Sequence, residues 1–238
     1  MTLRTSADPV ATREAWHRVA EHVLAAGQFA AAGTIRLRPV PGGLGTTVGI
    51  GGRQLTVTAD GITVLEAGRR CSAPLTTLRQ VAAFAGVRPG LRGSYPPATP
   101  PDLDAPPPVD ATAAERLARW YALGDTALRR PAAGVGAPAD PVLWPEHLDL
   151  AVTVDAVGYG VSPGDDAVPA PYLHVGPHEG APSADGFWNA PFGAALTGDR
   201  VPTADAAVAS FEHGRALTGR SRSRRRPRAR SSTASRSA

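Results

Sequence analysis

The chain has 238 residues, 25 basic against 21 acidic, with a formal net charge of +4 at pH 7 and one cysteine, Cys71. Every basic residue is arginine, and the lack of lysine excludes Schiff-base chemistry, Walker-type phosphate lysines and Ser-Lys dyads. The lone thiol excludes an intrachain disulfide, a Cys-x-x-Cys redox pair and a cysteine-rich zinc site. It fits a reducing compartment, so the cytoplasm is the expected location.

Met1 to Asp8 holds no apolar h-region and no window reaches 18 consecutive apolar residues, so neither a secretion signal nor a membrane span is expected. From Asp8-Pro9 onward, Trp16, Val19, Ala20, Val23 and Leu24 recur at helical spacing. This predicts an amphipathic helix ending near Gly27, with Arg13, Glu14, Arg18 and Glu21 on its polar face and His17 and His22 solvated beside them. Period-two alternation at Ile35 and Leu37, Thr47–Ile50, Leu55 and Val57, and Ile62–Leu65 predicts an antiparallel meander of three or four strands. Its turns fall at Gly51-Gly52 and Asp60-Gly61. Ser72 then caps a helix carrying Leu75, Leu78, Val81, Ala82 and Phe84 inward.

Eight of the twenty residues from Pro89 to Pro108 are proline, which predicts an extended crossover without helix or strand. Thr112-x-x-Glu115 reads as a capping box opening a third helix to about Arg130. After a second breaker stretch, Pro131 to Pro141, strands are expected at Leu148–Val154, Val157–Val161, Tyr172–Val175 and Phe192–Leu196, then a closing helix from Thr203 to Leu217 with Gly219 at C′. The expected architecture is α+β: two antiparallel β-rich halves, helices on one side, in one domain over residues 8–219.

Residues 220–238 differ in kind. They hold eight arginines, six serines and no acid, so removing them from the +4 total leaves −4 for residues 1–219. With no aromatic and no aliphatic larger than alanine, the segment is expected to be disordered. Arg224, Arg225, Arg226, Arg228 and Arg230 suit nonspecific contact with nucleic-acid phosphates, but nothing beside them would read bases.

Gly160-Val161-Ser162-Pro163-Gly164 spells a nucleophile elbow, with Asp185 and His213 following in hydrolase order. An elbow needs a helix directly after the serine, and Pro163, Pro169 and Pro171 predict a turn instead. The richer set lies around it. Strand parity places Asp149, Tyr172 and His174 on one sheet face, with His147 and His178 at its ends, and Glu146 beside His147 joins them as a candidate ligand or metal residue. Imidazoles beside carboxylates suit a small ligand, acid–base chemistry or a divalent metal. Trp144, Trp188 and Asn189 sit in loop-like sequence and are candidate pocket walls.

Asp140–Ala151 with its Trp-Pro-Glu-His-Leu-Asp-Leu-Ala run, Tyr159–Asp165 with Ser-Pro-Gly-Asp, Pro171–Pro177 and Phe187–Pro191 resemble an uncharacterised family of high-G+C bacteria. More loosely they resemble a larger domain family of unknown function with a Trp/Phe-x-x-x-Phe-Asp-Leu-Ala strand and a Pro-Gly-Asp turn. Here Leu148 stands where that pattern has an aromatic. The resemblance spans about residues 8–217, implies domain limits, and supplies no activity. The sequence thus points to a small-ligand or metal-binding site in the second half and leaves open whether it is an enzyme. The alternative is a non-catalytic interaction protein whose tail binds nucleic acid.

Overall fold

Asp8 accepts a hydrogen bond from the Val10 amide at 3.0 Å and Pro9 occupies the first turn, which together start the first helix. The computed structural model describes residues 8–130, 140–181 and 186–225, with 220–225 described as backbone. In it α1 (Pro9–Val19) passes through a π-helical segment (Ala20–Ala25) into α2 (Ala26–Ala32), which stops at Gly33 with φ +67°. The expected stop at Gly27 does not occur. A Cβ at Gly27 would lie 2.7 Å from Val87 and 2.9 Å from Ile50, so this glycine permits close packing.

The expectation that His17 and His22 are solvated is corrected as well. Glu21 and His22 are 0% exposed, and only 12% of the His17 side chain is exposed. The π segment shifts the helix face, and the Pro-rich segment covers what it turns outward. Glu21 accepts hydrogen bonds from the Tyr95 hydroxyl (3.0 Å), the Ala98 and Thr99 amides (2.9 and 2.8 Å) and the Thr99 hydroxyl (2.5 Å). His22 Nε2 donates to the Thr99 carbonyl at 2.9 Å. One buried carboxylate thus straps an arm that has neither helix nor strand over residues 89–108.

The sheet has ten antiparallel strands. They are β1 (Leu37–Val40), β2 (Gly43–Thr46), β3 (Arg53–Thr58), β4 (Gly61–Glu66), β5 (Arg69–Ala73), β6 (Val142–Trp144), β7 (Asp149–Val154), β8 (Val157–Ser162), β9 (Tyr172–Pro177) and β10 (Ala194–Thr197). Their order is β10-β9-β8-β7-β6-β1-β2-β3-β4-β5. Two five-stranded meanders therefore meet at their first strands, where Leu37 lies opposite Leu143. In chain order α1–α2 and α3 (Leu78–Ala85) bracket the first and α4 (Ala111–Arg129) and α5 (Ala204–Arg225) the second, while in space α4 packs on β1 and β2 as well as on β7 and β8. The fold is α+β. Leu44, Leu55, Ile62, Leu150, Val161 and Leu173 of the sheet share one buried cluster with Trp16, Leu78, Tyr121 and Phe211 of the helices.

Several local expectations are corrected. Gly51 and Gly52 do turn, at φ +57° and +82°, but the strand before them is Gly43–Thr46, because glycine lets β2 approach β3: a Cβ on Gly43 would sit 1.7 Å from the Val57 carbonyl oxygen. A turn at Ala67-Gly68 adds β5, in which Ser72 shares a 2.8 Å hydroxyl hydrogen bond with Thr63. Thr77, not Ser72, caps α3, and Phe84 is exposed rather than inward. Asp110, not Thr112, caps α4, accepting from the Ala113 amide at 2.9 Å. Leu148 lies in the β6–β7 turn at φ +53°. Helix α5 does not stop at Gly219 but runs to Arg225, since arginine is a good helix former and the next breaker in sequence is Pro227. Arg224 and Arg225 are thus helical in backbone, while Arg226, Arg228, Arg230 and the rest of the expected disordered tail lie outside the described residues. Among the described residues no helix is long and apolar enough to cross a membrane.

Candidate functional site

Strand register assembles the site. Ser162 of β8 lies opposite Tyr172 of β9 and Gly160 opposite His174, while Ala151 of β7 lies opposite Gly160. His174 and Asp149 therefore sit on the same face, away from the core residues Leu150, Val161 and Leu173. The imidazole reaches across β8 to place Nε2 3.4 Å from Asp149 Oδ2. Only glycine permits this crossing, because a Cβ on Gly160 would lie 2.3 Å from that nitrogen. Gly158 and Gly176, opposite each other one step further on, continue the bare floor. Above it Tyr172 stacks on Phe192 at 6.0 Å and 25°, and both rings stand edge-on to His174.

Asp149, Gly158, Ser162, Tyr172, His174, Gly176 and Phe192 line one cleft of about 770 Å³. The β6–β7 turn contributes Glu146 and His147, α1 contributes Arg13, Glu14 and His17, the loop after β8 contributes Asp165 and Asp166, and the Pro-rich arm contributes Ala98 and Thr99. Arg13 is 6% exposed and pairs with Glu14 through Nε and Nη2, at 3.0 and 2.8 Å. Arg13 Nη1, Glu146 Oε2, Asp149 Oδ1 and His174 Nε2 are buried without a hydrogen-bond partner. Buried polar atoms are nearly always paired, and ionised ones left unpaired are costly. Four on the walls of one cleft mark it as a place where stability is not the property being served.

Other groups in the cleft are internally satisfied. The Tyr172 hydroxyl donates to Asp165 at 2.6 Å, and the Ala167 and Val168 amides donate to the same carboxylate at 2.8 and 2.7 Å. Burial opposes ionisation of Asp165, but Tyr172 and these amides outweigh it and hold the carboxyl below its usual range. Burial, then the hydrogen bond to Asp165, raises the Tyr172 phenol well above its ordinary value. His17 donates to the Pro145 carbonyl at 2.7 Å. Burial lowers its pKa from the usual histidine value, against the pull of Glu21, that carbonyl and Glu14.

All five residues singled out for a ligand or metal, Glu146, His147, Asp149, Tyr172 and His174, line the cleft. The three proposed wall residues do not. Trp144 holds Arg36 over its ring at 5.9 Å, Trp188 is buried in the core cluster against Phe187, and Asn189 clamps the Ala195 backbone with bonds of 3.0 and 2.8 Å. The divalent-metal expectation also gains no geometry: among the described residues no three His, Cys, Asp or Glu side chains group closely enough to hold an ion. Arg13, Glu14, His17 and Thr99 were not legible as site residues, since α1 reaches the second half only through tertiary packing; the i, i+4 pair Arg13 and His17 was the available signal. The elbow-like sequence forms none. Gly164 turns at φ +101°, no helix follows Ser162, and His213 packs on Phe187 at 4.9 Å, while Asp185 lies outside the described residues. No family model, curated protein or solved structure matches the chain.

Proposed function

We propose that the protein binds a small polar organic ligand in the cleft between α1, the Pro-rich arm and the second meander. The observation that carries this reading is the set of four buried, unpartnered polar atoms, on Arg13, Glu146, Asp149 and His174, around a single cleft. Pockets that orient ligands place a few such groups among aromatic walls, and Tyr172 and Phe192 supply those walls. His174 beside Asp149 is also the pairing an acid–base step would use, so turnover of the ligand is compatible with the same geometry. The organic ligand is preferred over a metal because no three donor side chains converge among the described residues.

Native mass spectrometry of the full chain, purified without chelator, tests the reading against the double variant Glu146→Gln/Asp149→Asn. A bound organic mass in the wild type that the variant loses supports it. A mass stripped by chelator makes the ligand a metal, and identical spectra of wild type and variant overturn the assignment of the cleft.

A further inference from the structure

We infer that the ligand is a hydroxylated primary amine, of the amino alcohol or amino sugar class; the inference rests on the ligand cleft proposed above. Charge sets the sign. Glu14, Glu146, Asp149, Asp165 and Asp166 line the cleft with Arg13, so its formal charge is −4 with histidines counted neutral. Asp165 accepts from Tyr172 and two amides, so both of its oxygens have partners, and Glu14 is taken by Arg13. Glu146 and Asp149 are the carboxylates that keep a buried oxygen without a partner, and a carboxylate can only accept. The ligand must bring donors there, and an ammonium is the donor that also compensates charge.

Arg13 supplies an independent constraint. It is 6% exposed, lines the cleft and has Nη1 unpartnered, so the ligand must bring an acceptor too. Because Glu14 at 2.8 Å already balances the guanidinium charge, a neutral oxygen meets that need, and a carboxylate would add anion to an anionic cleft. Gly158 and Gly176, which line the cleft without side chains, leave room for a compact aliphatic body. Phe192, 39% exposed, adds an apolar wall to the cleft.

Saturation-transfer NMR on the full chain with matched probes tests this. Ethanolamine and glucosamine are compared with ethylene glycol and glucose, which carry a hydroxyl in place of the ammonium. The expected result is at least about tenfold weaker binding of the neutral partners, about 1.4 kcal/mol, and loss of that discrimination in folded Glu146→Gln/Asp149→Asn. Equal binding of amine and neutral partner overturns the cationic assignment and leaves the ligand cleft standing. Binding of neither overturns the assignment, and the mass spectrum then decides separately whether the cleft carries a ligand at all.

Discussion

The two meanders have the same topology and opposite polar faces. In the first, the row Gly45, Thr56, Thr63 and Ser72 runs across β2 to β5, with Thr63 and Ser72 bonded to each other and Arg38 donating to the Thr46 carbonyl at 3.0 Å. In the second, the row Ala151, Gly160, His174 and Ala195 runs across β7 to β10, and His174 has no hydrogen-bond partner at Nε2. Among the described residues, none of the buried unpartnered side-chain atoms belongs to β1–β5. A repeated scaffold can thus carry a self-satisfied face and an unsatisfied one, and the proposed ligand cleft lies on the unsatisfied one.

The largest effect should come from the strap that joins the halves. Glu21→Ala leaves the Ala98 and Thr99 amides without their acceptor, so it should cost about 3 kcal/mol, read by chemical denaturation, and speed proteolysis within 89–108. An arm as protected in the variant as in the wild type would show that Glu21 does not hold it. Next come the paired glycines. Gly160→Ala drives a methyl to 2.3 Å from His174 and 2.7 Å from the Leu150 carbonyl, and should cost about 2 kcal/mol and displace the imidazole. Gly45→Ala meets its neighbours at 3.0–3.2 Å and should cost less than about 1 kcal/mol. Equal costs would remove the contrast between the two faces.

Smaller is the pH dependence. The His17 pKa is lowered on folding, chiefly by burial, so the unfolded chain binds the proton first. Stability should fall as pH drops below the ordinary histidine value of 6.5, down toward the lowered folded pKa. His17→Gln should flatten that part of the melting-temperature profile between pH 8 and 5, and an unchanged profile would assign it to other groups. Smallest is removal of 226–238, which should leave the melting temperature within about 1 °C, since only sequence of a composition that builds no core is lost. The same truncation should reduce retention on DNA at low salt; full retention without the segment would dissociate nucleic-acid binding from it.

How much was legible follows from range. Turns at Gly51-Gly52 and the shared face of Asp149, Tyr172 and His174 depend on residues two to four apart or on strand parity, and both were readable from the chain. The burial of Glu21 and His22 was not, because the arm that covers them lies some seventy-five residues downstream and proline-rich sequence says only that it avoids helix and strand. Arg13 and His17 were missed for the same reason. Their helix precedes the first meander but lines the cleft of the second. The two tryptophans near turns went to the core or under Arg36 because a large apolar ring follows buried area wherever packing offers it.

On the proposed reading, Glu146 and Asp149 are held at a cost to stability for a ligand. The melting temperature of Glu146→Gln/Asp149→Asn against the wild type, both ligand-free, tests it most directly. Replacing two carboxylates that each keep a buried, unpartnered oxygen predicts a rise of about 2–4 °C, roughly 1 kcal/mol for a chain of this size, with loss of stabilisation by glucosamine. A fall in melting temperature would contradict the account and make both carboxylates structural.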